Sequence, residues 1–219
     1  MTRMDFHYYE PSLGHGLAYN PLNALIAPRP IGWISSRDAQ GQVNLAPYSF
    51  FNAFNYEPPI IGFASIAWKD SVQNASETGE FVWNLVTREL ADQMNNTSAP
   101  VPHGVDEFAL AGLTAVPGRV VNVPRVGESG AAMECKVTEI VRLRNQVGGN
   151  VDAWLVLGEV VAVYIDKLLL EDGVYQTARA FPILRSGGLS DYVQVTPDNV
   201  FQMARPEGAG SPAHRGATK

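Results

Sequence analysis

Pro30-Ile31-Gly32-Trp33-Ile34-Ser35-Ser36 is followed by Arg37-Asp38-Ala39-Gln40-Gly41-Gln42 and then by Val43-Asn44-Leu45-Ala46. The first run is apolar and β-branched, the second places Asp and Gly where a tight reversal needs them, and the third returns as a short apolar run. Together they read as a β-hairpin. Pro47 comes next and has no N–H to give a ladder, so the sequence predicts that pairing is interrupted there.

Downstream, Pro58-Pro59 closes an aromatic loop holding Tyr48, Phe50, Phe51, Phe54 and Tyr56, and Ile60 to Ile66 is a near-continuous apolar strand. Asp70-Ser71-Val72-Gln73 has the spacing of a capped helix start with Asp70 as the cap, and Gly79 stops that helix. Glu80 to Thr87 reads as another strand. The texture changes from 88 to about 130, where Pro and Gly punctuate short helical stretches at Leu90–Met94 and Asp106–Ala111, as in an insertion that covers something. Two long strands follow, near Ala132–Arg144 and Ala153–Ile165, with Gly148-Gly149-Asn150 at the turn. Strands that come as hairpins predict a mainly β fold, a closed antiparallel barrel with short peripheral helices, over a doubly wound sheet. One domain spans 21–205, after a loose arm (1–20) and before a small, polar tail (206–219) whose composition predicts disorder.

The 219 residues are 46% hydrophobic and 17% charged with a net charge of −6, which permits a sizeable core and argues against wide contact with nucleic-acid phosphates. No apolar run approaches the roughly 20 residues of a membrane span, and Met1–Glu10 lacks the order of a secretion signal, so the cytoplasm is the expected compartment. Cys135 is the single cysteine; it reads as a small buried filler or as a reactive thiol. His7, His15, His103 and His214 are far apart, and no metal site is predicted. There is no Gly-x-Gly-x-x-Gly after a strand and no catalytic triad pattern.

Two segments suggest a site. Where the Ile60–Ile66 strand gives way to Trp68-Lys69-Asp70-Ser71, the helix start offers free N–H groups, Lys69 a charge, and Ser65 and Ser71 hydroxyls, which suits one terminal phosphate; the alternative, which spacing alone favours, is an ordinary capped surface helix with a solvated lysine. Asn44 to Phe51 leaves the strand at a proline, so its backbone can face a flat aromatic ligand on which Tyr48 or Trp33 stacks; the alternative is a barrel-closing loop with core aromatics. Arg29, stiffened between Pro28 and Pro30, and Arg185 each read as a phosphate partner or as a surface ion pair.

The blocks Pro28–Ser36 with Gly41–Asn52, Lys69-Asp70-Ser71 with Asn74 and Gly79–Val86, Gly104–Phe108 with Ala111–Leu113, Glu134-Cys135-Lys136, and Arg185–Gly188 before Asp191-Tyr192 resemble, in order, the flavin reductase-like family of FMN-binding split β-barrels. The resemblance covers about residues 20 to 195. Ser36 and Ser71 stand where relatives often carry threonine. It implies a homodimer with FMN (FAD is the less favoured form) held by Arg29, Ser35, Asn44, Ala46, Pro47, Tyr48, Ser49, Ser65, Lys69, Ser71, Asn74 and Arg185, with no catalytic residue and no metal. It further implies that NADH or NADPH acts as a transient co-substrate giving hydride to flavin N5, helped by N–H groups of Ala46–Ser49. Electrons then pass to a partner monooxygenase or another acceptor. A flavoredoxin-like electron carrier or sensor without its own NAD(P)H turnover is the alternative.

Overall fold

A computed structural model describes residues 4–204 and Pro206; the tail from 207 onward, expected to be disordered, lies outside the described residues. The core of the fold is one seven-stranded antiparallel sheet. Its strands are β1 (Gly32–Arg37), β2 (Val43–Tyr48), β3 (Phe51–Asn55), β4 (Ile60–Ile66), β5 (Glu80–Asn84), and, after the two-residue ribbon strands β6 (Ala115–Val116) and β7 (Arg125–Val126), β8 (Ala131–Arg144) and β9 (Asn150–Ile165). The spatial order is β2-β1-β5-β8-β9-β4-β3. Among the described residues four short α-helices accompany it: α1 (Leu22–Leu25), α2 (Asp70–Thr78), α3 (Ala91–Asn96) and α4 (Glu107–Leu110). This is the mainly β split barrel with short peripheral helices that the sequence predicts.

β2 and β3 stand at opposite ends of that order, yet only Ser49 and Phe50 separate them. The sheet therefore curls until its edges meet, where Ala64 N–H donates to the Phe50 carbonyl at 2.7 Å and the Tyr48 and Phe63 rings lie 4.7 Å apart. Alternation along β1 then sorts side chains to two cores. Ile34 points into the barrel with Phe63, Phe81, Cys135 and Val156. Trp33 points outward to Leu45, Met94 of α3 and Phe108 of α4. Val72 and Ala75 of α2 close one end of the barrel. Inside, a Cβ on Gly158 would come within 2.4 Å of the Phe81 ring, so only glycine fits there. Cys135 is fully buried in this core, and burial pushes its thiol far above the ordinary range, the inert filler of the two readings.

Two expectations fail in instructive ways. β2 runs through Pro47, paired with Trp33, because an edge strand can turn the missing N–H outward. The aromatic loop is in part a strand: Phe51–Asn55 pairs with β4 across a bulge at Ala53/Asn55.

The 118–123 loop is fastened over the sheet by Glu134 of β8, a fully buried carboxylate. It accepts N–H groups of Arg119 (2.7 Å), Val120 (2.7 Å) and Val121 (2.8 Å) and the Tyr164 hydroxyl. Burial by itself would raise its pKa; these donors outweigh burial and hold it below the ordinary carboxylate value. Glu134→Gln is expected to destabilise the fold by about 2–3 kcal/mol in urea unfolding at neutral pH. Because the folded pKa is the depressed one, this stabilisation is complete above the unfolded value and is lost as pH falls through the folded value, so the two proteins should converge only below the ordinary carboxylate range.

Candidate functional site

β4 passes into α2 through a strained turn. Ala67 has φ +70°, in the left-handed region that costs a residue with a Cβ on the order of 1 kcal/mol. The turn holds it there: its N–H donates to the Asp152 carbonyl and its own carbonyl accepts the Ser65 hydroxyl, both at 2.9 Å. Lys69, exposed and extended, is the N-cap of α2, and its carbonyl accepts the N–H groups of Val72 and Gln73 at 2.9 Å each. The expected cap at Asp70 is not formed: Asp70 is the first helical residue, and no side chain caps this helix. Its carboxylate instead lies 3.1 Å from His103 Nδ1. The N–H groups of Asp70 and Ser71 have no acceptor among the described residues, so the positive end of the helix is left free beside a lysine.

Behind this turn runs a buried polar network. Asn44 Nδ2 donates to the Ser71 hydroxyl at 2.9 Å and to the Ser36 hydroxyl at 3.3 Å, and Asn74 Nδ2 donates to Ser36 at 3.1 Å. Asn74 Oδ1 is buried without a partner among the described residues. Tyr48 brings its hydroxyl to Ser71 and Ser65; burial is the largest influence on it and pushes its pKa up, so the phenol stays neutral.

The third wall comes from the region read as an insertion. Thr97 accepts the Trp33 indole N–H at 2.9 Å, which ties the 97–101 strap to the core. Asp106 caps α4 by accepting the N–H groups of Phe108 and Ala109. That cap presents the next residue, Glu107, to β2, where its Oε2 accepts the Leu45 N–H at 3.0 Å. In an antiparallel ladder successive residues alternate between inward and outward backbone groups. Leu45 N–H faces outward to Glu107, so Ala46 and Tyr48 bond inward to β1 and Pro47, like Leu45, faces out. The anticipated run of free N–H groups over Ala46–Ser49 is therefore absent. Of its four members, Ala46 and Tyr48 serve the ladder and Pro47 has no N–H, which leaves Ser49 alone.

These walls enclose one cleft of about 310 Å³, bounded by Asn44, Ala46, Pro47 and Tyr48, by Lys69–Ser71, by Thr97–Val101 and by Glu107. Six of the anticipated residues thus come together: Asn44, Ala46, Pro47, Tyr48, Lys69 and Ser71. Ser49 and Arg185 line an adjoining recess of about 150 Å³ that shares Pro47 and Ser98 with the cleft. There Arg185 donates to the Asp191 carbonyl at 2.6 Å and sits 5.0 Å over the Tyr192 ring, neither of them a carboxylate. Ser65 and Asn74 stand behind the cleft; Asn74 borders a recess of only about 10 Å³, water-sized at most.

Two anticipated residues lie elsewhere. Ser35 is on the outer face of β1, where its hydroxyl donates to the Pro124 carbonyl at 2.6 Å; one residue on, Ser36 faces the network. Arg29 donates to the carbonyls of Asn23 and Ile26, pinning the α1 segment. Trp33 is core and cannot stack on a ligand. Glu107 and the strap were not anticipated. The cap at Asp106 is readable in sequence, but its link to Leu45, 62 residues away, is not.

A barrel whose seam carries a cleft with a basic helix start on one side and a flat strand edge on the other defines a split-barrel protein of the flavin-linked oxidoreductase class. The chain belongs to the flavin reductase like domain family, whose model matches residues 25–183. It is similar to nitrilotriacetate monooxygenase component B from Bacillus cereus, 28% identical with a TM-score of 0.79 over 93% of this chain and 98% of the other. It is also similar to the 2-nitrobenzoate 2-nitroreductase NbaA of Pseudomonas fluorescens (27%, TM-score 0.75, 87% and 91%). A third similar structure is a Shewanella frigidimarina protein described as a flavin reductase with a split barrel domain (26%, TM-score 0.71, 86% and 90%).

Ser36→Ala removes the one partner of Asn74 Nδ2 and one of two for Asn44. It should lower stability by about 1–2 kcal/mol in urea unfolding; an unchanged midpoint would mean that these amides are satisfied otherwise.

Proposed function

We propose that this chain is an FMN-binding oxidoreductase that accepts hydride from NADH or NADPH and passes electrons to a partner monooxygenase or another acceptor. One observation carries the reading: a single cleft joins the Lys69–Ser71 helix start to the Ala46–Tyr48 strand edge. Bound FMN would supply a two-electron acceptor at N5, chemistry that needs no acid–base side chain from the protein.

The residues present fit such a group. The free N–H groups of Asp70 and Ser71 and the Lys69 ammonium suit a terminal phosphate. One cradle of this kind favours the single phosphate of FMN over the longer diphosphate of FAD. The Asp70 carboxylate, turned toward His103, is drawn off that cradle. Pro47 and the edge of β2 offer a flat wall, the Tyr48 ring being packed on Phe63 in the core, and the 97–101 strap screens the opposite side from water. The remaining anticipated contacts, Ser49 and Arg185 in the adjoining recess, are close enough to meet an incoming nucleotide or acceptor. The similarity to a monooxygenase component B supports a monooxygenase as the partner. Exposed Leu22 (52%), Leu25 (75%) and Ile26 (59%) form an apolar surface that supports homodimer formation. Nothing in this reading requires a nucleic acid or a membrane; among the described residues no helix is long and apolar enough to cross one. We place it in the cytoplasm.

Stopped-flow mixing of the FMN-loaded protein with NADH and with NADPH tests the proposal. Bleaching of the flavin band within seconds is expected with at least one of them, and persistence of the oxidised spectrum with both would leave an electron carrier. Lys69→Ala should weaken FMN binding by about 1 kcal/mol, roughly fivefold, a value reduced for the exposure of the lysine. Unchanged affinity in a fluorescence titration would remove Lys69 from the phosphate site.

A further inference from the structure

One polar group on the cleft wall has no part in the function proposed above. Glu107 is 6% exposed, and Oε2 accepts the Leu45 N–H. Beyond Leu45 and its own backbone N–H, no residue among those described donates to this carboxylate, although it lines the cleft. No basic side chain forms an ion pair with it among the described residues.

The charged and titratable groups around it come from every neighbouring element. Asp106 precedes it on α4, Asp70 and Lys69 open α2, Tyr48 stands on β2, and His103 precedes α4 but is turned to Asp70. Burial chiefly, then Asp70 and Asp106, push the Glu107 carboxyl above its ordinary pKa, against the Leu45 hydrogen bond that favours the carboxylate. The part of the strand edge beside it offers no free donor: Leu45 N–H is already spent and Pro47 has none.

We infer that Glu107 is the redox-linked proton acceptor of this cleft: when a hydride donor reduces a flavin bound here, a proton from solvent binds the Glu107 carboxylate. The inference rests on the FMN reading above. The balance is simple. The donor loses a hydride as its C–H bond breaks and is oxidised by two electrons. A flavin held here would take up that hydride as an N–H bond, together with one negative charge. The proton on Glu107 gains an O–H bond and offsets that charge. Two like charges in one partly desolvated cleft interact strongly enough to move a carboxyl already poised for protonation.

The test is spectroelectrochemical titration of the FMN-loaded full-length protein across pH, wild type against Glu107→Gln, whose amide oxygen can still accept the Leu45 N–H. The variant is expected to have a more positive midpoint potential at alkaline pH, where the wild-type carboxylate carries charge. The two curves should converge at acid pH, where the carboxyl is neutral in both redox states, so the wild-type potential falls more steeply with pH. In reduced-minus-oxidised infrared spectra, wild type should gain a protonated-carboxyl band that the variant lacks.

Superimposed potential–pH curves for two proteins that both bind FMN, or no such band in the wild type, would overturn the role of Glu107 while leaving the FMN reading intact. Failure of the wild type to bind FMN at all would overturn both.

Discussion

Ser49 and Phe50 are all that separates two strands which lie at opposite edges of the same sheet. A flat sheet cannot satisfy that connection, so the chain must curl, and the rest of the architecture follows from the curl. The interior fills with Ile34, Phe63, Phe81 and Val156, and α2 caps one end. The outer edge of β2, which an added strand would otherwise cover, is met by α4 and the strap. The cleft lies along this edge and exists because the barrel closes without completing its ladder.

Two buried glutamates illustrate how surroundings set the character of one residue type. Glu134 receives three backbone N–H groups and a phenol hydroxyl, stays ionised, and works as a fastener. Glu107 receives one N–H from another residue, has two other carboxylates nearby, and its pKa is pushed above the ordinary value, chiefly by burial. Burial acts on both in the same direction; the number of donors decides the outcome.

Much of the barrel was legible because hydrophobic period and turn chemistry agree locally. Ile60–Ile66 is the strand read from sequence, Gly79 ends α2 in the left-handed conformation (φ +72°), and a short helix forms within the stretch read at 106–111. Misreadings arose where position within the sheet outweighs residue preference. Pro47 stays in the ladder because its strand is an edge, and the aromatics at Phe51–Asn55 pair because β4 offers them a free side. Ser35 and Ser36 differ only in parity, and a one-residue choice sends one hydroxyl outward to Pro124 and the other inward to the asparagines. Of the cleft, the helix start and the strand edge could be read from their local residues. Glu107 and Arg29 could not, since their partners are set by packing rather than spacing.

The indole of Trp33 has a consequence beyond its place in the core. The same residue is register partner to Pro47 on one wall of the cleft and donates to Thr97, the root of the facing wall. Both jaws of the opening are therefore referenced to a single buried residue, through its backbone on one side and its indole on the other. A change at this one residue would thus be felt on both walls at once, whereas a change within 98–101 alters only the lining of one.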